Sequence, residues 1–245
     1  MKRVFLRFYA ELNDFLPPER RMTEFEYSFY VAPSVRDVIE SAGVPHTEVD
    51  LILVNGRSVD FSYVVEDGER ISVYPVFESI DIGPLVRLRP KPLRQARFVL
   101  DVHLGRLAAY LRMAGFDALY RNDYTDERLA AISSAEERIL LTRDLGLLKR
   151  GAVTRGYWVR ATSPRLQFAE VLRRFDLFEQ VTPFVRCLAC NALLEPAAKE
   201  EVAARVPAAI RARHNEFQRC RSCGRIYWPG THYQRMQRLL ASARR

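Results

Sequence analysis

Four cysteines in two pairs are the residues whose spacing points most directly to chemistry. Cys187 and Cys190 form one Cys-x-x-Cys pair, and Cys220 and Cys223 form a second. Tight turns aim such pairs at one tetrahedral Zn²⁺, and four thiolates leave no open coordination position. Gly224 suits the second turn. The pattern predicts a structural zinc ribbon, because a dithiol redox site, the alternative, would not need the second pair.

Three aspartates follow short apolar runs in the middle of the chain: Asp101 after 98–100, Asp123 after 116–120 and Asp144 after 139–142. If these runs are parallel strands, their C-terminal ends share one edge of the sheet. Crowded carboxylates repel one another unless a hard divalent cation neutralises them. The sequence therefore predicts Mg²⁺ or Mn²⁺ on Asp101, Asp123 and Asp144, where the ion would activate water toward a phosphodiester.

Each aspartate also has a structural alternative. Asp101 could be a turn residue after its strand, Asp123 could cap the following helix, and Asp144 could begin a short helix. Asp126 is a candidate fourth ligand, although its place in a first helical turn is equally served by the helix dipole.

The elements that would carry these aspartates alternate between strand and helix. Leu104, Leu107, Ala108 and Leu111 form one helical face that ends at Gly115. Thr125 or Asp123 can cap a second helix. Alternating strands and helices predict an α/β domain with a parallel sheet.

The first eighty residues show a different order of elements. Apolar residues alternate at 2–10 and 25–31, as in strands, and Ser34 opens a capping box with Asp37 for a helix that stops at Gly43. A strand at 51–54, an Asn55-Gly56 turn and a strand at 70–75 complete a strand-strand-helix-strand-strand order, which predicts a β-grasp.

Residues 53–57 and 66–75 of this region resemble the ubiquitin-like sulfur-carrier proteins. Those carriers act through a free C-terminal Gly-Gly, and the chain here continues through residues 77–81 without one. We therefore expect a docking or stabilising module, with a protein partner as one candidate role, and assign it no site.

Charge is distributed unevenly along the chain. Residues 1–80 hold 8 Lys and Arg against 14 Asp and Glu, a net charge of −6, whereas residues 81–245 hold 30 against 16, a net charge of +14. This asymmetry favours a nucleic-acid partner for the basic part, with solubility as the alternative. The candidate phosphate contacts are Arg106, Arg112, Arg143, Lys149, Arg150, Arg221 and Arg225.

Other residues of the basic part have plainer interpretations. His103 is expected to be partly buried at a helix start, and His232 is not expected to bind zinc. The aromatic residues around the second cysteine pair could stack on bases, but core packing is favoured for most of them. These residues are Phe217, Tyr227, Trp228 and Tyr233.

Membrane insertion and secretion are not expected. No apolar run reaches the roughly 18 residues of a spanning helix, and Arg7 interrupts the first apolar stretch. Paired cysteines of this kind favour metal over disulfide in a reducing compartment. We therefore expect a cytoplasmic protein without a membrane partner.

Residues 101–117 (DVHLGRLAAYLRMAGFD) and 138–144 (RILLTRD) resemble the C-terminal ribonuclease-domain family named after the Mut-seven exonuclease. The resemblance covers roughly residues 97–235, including the cysteines, and a ubiquitin-like domain in front is a companion in bacterial members. It implies a PIN-like fold and a metal-dependent RNase site on Asp101, Asp123 and Asp144. Typical PIN nucleases use a fourth acidic residue, often a helical Glu, which we do not assign.

The expected architecture is α/β: a ubiquitin-like β-grasp domain at 1–80, a basic, proline-containing linker at 81–96, a PIN-like domain with a parallel sheet at 97–182, and a Cys₄ zinc ribbon at 183–245. The expected function is RNA hydrolysis with catalytic Mg²⁺ or Mn²⁺ and structural Zn²⁺. The alternative is a non-catalytic RNA- or ribosome-binding module. A toxin-like nuclease is disfavoured, because such toxins are usually single small domains.

Overall fold

The structure, a computed structural model, describes residues 1–75, 88 and 96–243. Four of these residues, 232, 236, 242 and 243, are described by their backbone alone. The expected linker at 81–96 lies outside the described residues except for 88 and 96. The chain divides into two compact units. The first unit is Met1–Arg94 with Asp144–Trp158, and the second unit is Gln95–Arg143 with Val159–Arg245.

The described residues form the following elements in chain order. The strands are β1 (Lys2–Phe8), β2 (Phe25–Phe29), β3 (Val49–Val54), β4 (Arg57–Val59), β5 (Arg70–Pro75), β6 (Arg97–Leu100), β7 (Asp117–Leu119), β8 (Ile139–Thr142), β9 (Gly156–Trp158), β10 (Leu194–Ala197), β11 (Phe217–Cys220) and β12 (Ile226–Tyr227). The helices are α1 (Val35–Ser41), α2 (Gly105–Met113), α3 (Asp126–Ala135), α4 (Leu145–Leu148), α5 (Pro164–Arg174), α6 (Lys199–Val202), α7 (Ala208–Arg213) and α8 (Thr231–Ala243). Over the described ranges, none of these helices combines the length and the apolarity needed to cross a membrane.

The first unit contains a mixed sheet with the strand order β2-β1-β5-β3-β4, in which β1 and β5 are parallel. Helix α1 begins with the predicted capping box, since Ser34 accepts a hydrogen bond from the Asp37 amide and the Asp37 carboxylate accepts one from the Ser34 amide. Inward-facing residues of the strands and α1 form one apolar core. The predicted ubiquitin-like β-grasp is confirmed, with β4 as a further short strand after the Asn55-Gly56 turn.

The second unit contains the predicted parallel sheet. Strand β6 lies between β7 and β8 and runs parallel to both. The predicted face of α2 is buried, with Leu107, Ala108 and Leu111 fully inaccessible. Helix α2 ends at Met113, and Gly115 follows its C-cap residue. Gly115 has a φ of +100°, and its missing Cβ would lie 2.1 Å from the Thr182 carbonyl oxygen. The tight junction between α2 and β7 therefore requires glycine.

The cysteine segment of this unit is built on an antiparallel sheet with the order β10-β11-β12. Phe217, Val202, Val206 and Ala197 form its small apolar core. Helices α6 and α7 are separate short helices, and Pro207 lies between them as the N-cap residue of α7. Helix α8 packs against α5.

Candidate functional site

The four cysteines of the second unit come together at one point. Their Sγ atoms all lie within 4.8 Å of one another. The Sγ atoms of Cys187 and Cys223 are 3.6 Å apart, and those of Cys190 and Cys220 are 3.4 Å apart. All four are free thiols. A closed set of four sulfur ligands at these separations fits a tetrahedral Zn²⁺, so this cluster could bind a metal such as zinc.

Two matching turns bring the thiols together. The amide of Gly224 donates to the Cys220 carbonyl at 3.0 Å, and the amide of Asn191 donates to the Cys187 carbonyl at 3.0 Å. Both residues have a φ of +69°. Gly224 was expected to allow its turn, whereas Asn191 was not singled out. Its position directly after a Cys-x-x-Cys pair could have identified it. Asparagine suits this position because it tolerates the left-handed conformation better than most residues.

The Tyr227 hydroxyl supports the first cysteine pair, lying 3.1 Å from Cys187 Sγ. Burial opposes ionisation of Cys187, but hydrogen bonds from Tyr227 and from nearby backbone amides outweigh it and lower the pKa of this thiol to about 6. The thiolate is the form that binds zinc. Tyr227 therefore contacts the thiol cluster through its hydroxyl.

The remaining aromatic residues of the ribbon are in ring or core contacts. Phe217 is buried in the small core, and Trp228 packs against it. The ring of Tyr233 makes an edge contact with Phe184 at 5.2 Å between centroids. These contacts agree with the core packing favoured from the sequence.

Arg112 has a different role from the one expected. Its side chain is buried, and its Nε donates to the Ala118 carbonyl at 2.8 Å. Its Nη1 donates at 3.0 Å to the carbonyl oxygens of Leu188 and Ala189, which lie between the first two cysteines. Burial lowers the pKa of Arg112, while Cys187 and Cys190 favour its charge. The predicted phosphate contact is corrected: Arg112 holds the first cysteine turn and is not accessible to RNA.

Asp117 and Asn191 form a second link between the first cysteine turn and β7. Asn191 donates to the Asp117 carboxylate at 2.7 Å and accepts a hydrogen bond from the Ala118 amide at 3.0 Å. Arg138 donates to the same carboxylate at 2.7 Å. Burial raises the pKa of Asp117, but the bonds from Arg138 and Asn191 outweigh it, so the pKa is lowered. Asp117 is thus a charged structural residue.

We expect Arg112→Leu to destabilise the protein by about 3 kcal/mol, because three carbonyl oxygens, of which the Ala118 oxygen is buried, lose their donor. Urea unfolding measures this loss, and release of metal to a chelator should become faster. Arg128→Leu is the matched control, since Arg128 is exposed on α3. Equal stabilities for the Arg112 variant and the parent would contradict the structural role.

Asp101 is held firmly at the end of the central strand β6. It is 6% exposed, and its amide donates to the Leu141 carbonyl at 3.0 Å. The Thr142 hydroxyl at the end of β8 donates to Asp101 Oδ2 at 2.6 Å. Sequence reasoning did not identify Thr142. A sequence feature that could have identified Thr142 is its position: it is a hydroxyl residue at the end of the apolar run 139–142, which pairs with the run before Asp101.

Asp123 and Asp144 lie in surroundings of other kinds. Asp123 is exposed, and Arg121 binds both of its carboxylate oxygens, at 2.8 and 2.7 Å, which lowers the pKa of Asp123. Thr125 rather than Asp123 caps α3. In the first unit, Asp144 caps α4 and accepts a hydrogen bond from the Gly146 amide at 2.7 Å.

Besides the thiols, the described residues contain no group of three or more His, Cys, Asp or Glu side chains close enough to hold one ion. A shared divalent ion on Asp101, Asp123 and Asp144 therefore stays a prediction. Mg²⁺ commonly binds through one or two carboxylates and completes its shell with water and substrate phosphates. The fixed, buried carboxylate of Asp101 fits such a site.

The other predicted phosphate contacts differ in availability. Arg106 and Arg225 are exposed and make no side-chain hydrogen bond or ion pair with the described residues. Arg143 donates to three carbonyl oxygens, of Val159, Arg160 and Ala161. Arg221 pairs with Glu195 at 3.3 Å. In the first unit, Lys149 donates to the Glu40 carbonyl at 2.9 Å, and Arg150 is partly buried with contacts of its own.

His103 is exposed, contrary to the expectation of partial burial. It lies in the 3₁₀ turn Val102–Leu104, which buries Leu104 instead. The side chain is consequently accessible to a ligand of the second unit.

Two family models match the chain. Residues 96–240 match the Mut7-C RNAse domain, and residues 1–81 match the Mut7-C ubiquitin domain. Comparisons with curated proteins and with solved structures gave no match. The first of these models covers more than half of the chain and contains the parallel sheet and the thiol cluster. The protein therefore belongs to the Mut7-C RNAse domain family and carries an N-terminal Mut7-C ubiquitin domain.

Proposed function

We propose that this protein is a metal-dependent ribonuclease that hydrolyses RNA phosphodiester bonds at a site built around Asp101, with Asp123 and Asp144 as further ligands. The RNase domain match supports the reaction class. The observation that carries the proposal is the buried Asp101 carboxylate, oriented by Thr142 at the C-terminal edge of the parallel sheet. Ligands of open α/β sheets bind at this edge.

A carboxylate in this position suits a catalytic cation. Burial of a charged group is unfavourable unless other groups compensate it, and Asp101 has one hydroxyl donor from Thr142. Mg²⁺ or Mn²⁺, when bound, supplies an activated water and stabilises charge on the phosphoryl group. The residues of the chain fix the carboxylate at the strand end, and Thr142 orients it.

RNA is the substrate that the charge distribution favours. The net charge of +14 in residues 81–245 attracts a polyanion, and Arg106 and Arg225 are exposed cations that no carboxylate neutralises among the described residues. Each phosphate that such a cation neutralises releases counterions from the nucleic acid.

We therefore expect the affinity of the full chain for single-stranded RNA to fall steeply with rising salt. Fluorescence anisotropy with a labelled oligonucleotide measures the slope of log affinity against log salt. Arg225→Gln should make that slope shallower by about the contribution of one phosphate contact. Arg57 is an exposed arginine on β4, and Arg57→Gln should leave the slope unchanged. Binding that is indifferent to salt would remove the electrostatic argument.

A non-catalytic RNA- or ribosome-binding module is the second candidate. The ion pair of Asp123 with Arg121 and the capping role of Asp144 favour it, because both carboxylates already have partners. The two candidates differ in whether RNA is cleaved when Mg²⁺ or Mn²⁺ is supplied.

The thiol cluster and the ubiquitin-like domain receive supporting roles in this proposal. Four thiolates close the coordination of a zinc ion, so zinc would be structural and not catalytic. A reducing compartment keeps these thiols free, which favours the cytoplasm. The acidic first domain would bind a protein partner or stabilise the enzyme, since like charge keeps it from RNA.

A further inference from the structure

A cavity of about 510 Å³ opens in the second unit next to the turn that follows Asp101. Its walls include Gly105, Tyr120, Arg106, His103, Thr162 and Gln167. This volume falls within the range of small-molecule sites, about 300–1,000 Å³. None of the six residues is acidic, so the walls carry only positive or neutral groups.

Local contacts hold the walls of the cavity in place. The Tyr120 hydroxyl donates to the Val102 carbonyl at 3.0 Å, which fixes the ring. A Cβ on Gly105 would lie 2.7 Å from both Cζ and Oη of Tyr120, so the ring occupies space that only glycine leaves open. Gln167 is buried, and its amide nitrogen donates to the Ala161 carbonyl at 3.0 Å. The cavity is therefore largely preformed.

The polar groups of the cavity match the parts of a nucleotide. Arg106 is an exposed cation without a partner among the described residues, and a guanidinium binds phosphate through two parallel hydrogen bonds. The Tyr120 ring offers an aromatic surface for a base. The bond to Ala161 uses the Gln167 amide nitrogen, which leaves its amide oxygen as an acceptor for a base edge.

We propose that this cavity binds one nucleotide of single-stranded RNA, with its phosphate at Arg106 and its base against Tyr120 and Gln167. The inference rests on the proposed function, because it makes the cavity a subsite beside the scissile phosphodiester. The connection is short: the Leu104 amide donates to the Asp101 carbonyl at 2.9 Å, and α2, which carries Arg106, begins at the next residue. A nucleotide held here positions its neighbouring phosphodiester at the Asp101 strand end.

The test uses the full zinc-loaded chain and adenosine 5′-monophosphate as the probe. Binding is measured by calorimetry without added Mg²⁺ or Mn²⁺. Arg106→Gln should weaken binding about 10-fold or more, because it removes a charge-assisted contact to phosphate. Gly105→Ala should weaken it similarly by displacing the Tyr120 ring. Arg128→Gln, an exposed arginine outside the cavity, should bind like the parent.

RNA cleavage by the same proteins separates the subsite from the ribonuclease proposal. If the parent cleaves RNA and both cavity variants bind the nucleotide like the parent, the subsite is wrong and the ribonuclease stands. Absence of nucleotide binding by the parent at millimolar concentration also overturns the subsite. If the parent cleaves nothing with Mg²⁺ or Mn²⁺ but Arg106→Gln loses nucleotide binding, the subsite stands without the ribonuclease. A raised KM with little change in kcat for Arg106→Gln supports both.

Discussion

Asp101→Asn is expected to abolish Mg²⁺- or Mn²⁺-dependent RNA cleavage while RNA affinity stays close to that of the parent. Asparagine keeps the shape of the side chain and can still accept the hydrogen bond from Thr142, but it lacks the charge that holds a cation. The loss should exceed the roughly 100-fold cost of removing an outer-shell partner of a metal site. A labelled oligonucleotide cleavage assay measures it, with anisotropy as the binding control.

Two further variants decide which other carboxylates belong to the site. Asp144→Asn keeps the cap of α4, because asparagine caps helices about as well as aspartate, so a loss of cleavage there identifies a ligand. Asp123→Asn is the sharper case, since Asp123 is exposed and bound only to Arg121 in the described contacts. If the Asp123→Asn variant cleaves RNA normally, Asp123 is not a ligand of the catalytic ion. If the parent cleaves no RNA with either ion, the binding-module alternative is preferred. If the parent cleaves RNA and Asp101→Asn cleaves it equally well, the site is not built around Asp101.

Cys187→Ser and Cys223→Ser are each expected to release zinc and to lower the free energy of unfolding by several kcal/mol. The loss should be large because the small core of the ribbon holds four buried apolar residues, which stabilise little by themselves. Elemental analysis of the parent should find about one Zn per chain. Thermal unfolding with and without a chelator measures the stability change.

Ser222→Ala is the matched control for the cysteine variants. Ser222 lies in the same turn, and its backbone amide, 3.4 Å from Cys220 Sγ, is unchanged by the substitution. This variant should keep its zinc and melt like the parent. Zinc-free parent protein prepared under reducing conditions, together with cysteine variants of unchanged stability, would refute the metal site.

Loss of zinc should also destabilise the sheet that carries Asp101. Arg112 on α2 donates to the two carbonyl oxygens between Cys187 and Cys190, and Asn191 binds both Asp117 and the Ala118 amide at β7. When the first cysteine turn unfolds, these buried partners lose their hydrogen bonds, and burial without a partner is costly. We expect the zinc-free Cys187→Ser variant, assayed with Mg²⁺ or Mn²⁺, to lose nucleotide binding and cleavage together.

Features that depend on neighbours in the chain are predictable from residue type and spacing. The capping box of Ser34 with Asp37, the Asn55-Gly56 turn and the Cys-x-x-Cys turns are local, so residue type and spacing specify them. The burial of alternate strand residues and of one face of α2 follows from periodicity. These local signals were sufficient to predict the β-grasp, the parallel sheet and the cysteine cluster.

The role of each polar residue within those elements depends on how the elements pack together. Arg106 and Arg112 lie on the same helix and have the same chemistry, yet Arg106 lines an open cavity while Arg112 is buried against residues far along the chain. Asp101 likewise depends on Thr142, which belongs to another strand. A charged side chain is stable inside a protein only where distant groups satisfy it, and the identity of those groups follows from the packing of elements rather than from spacing in the sequence.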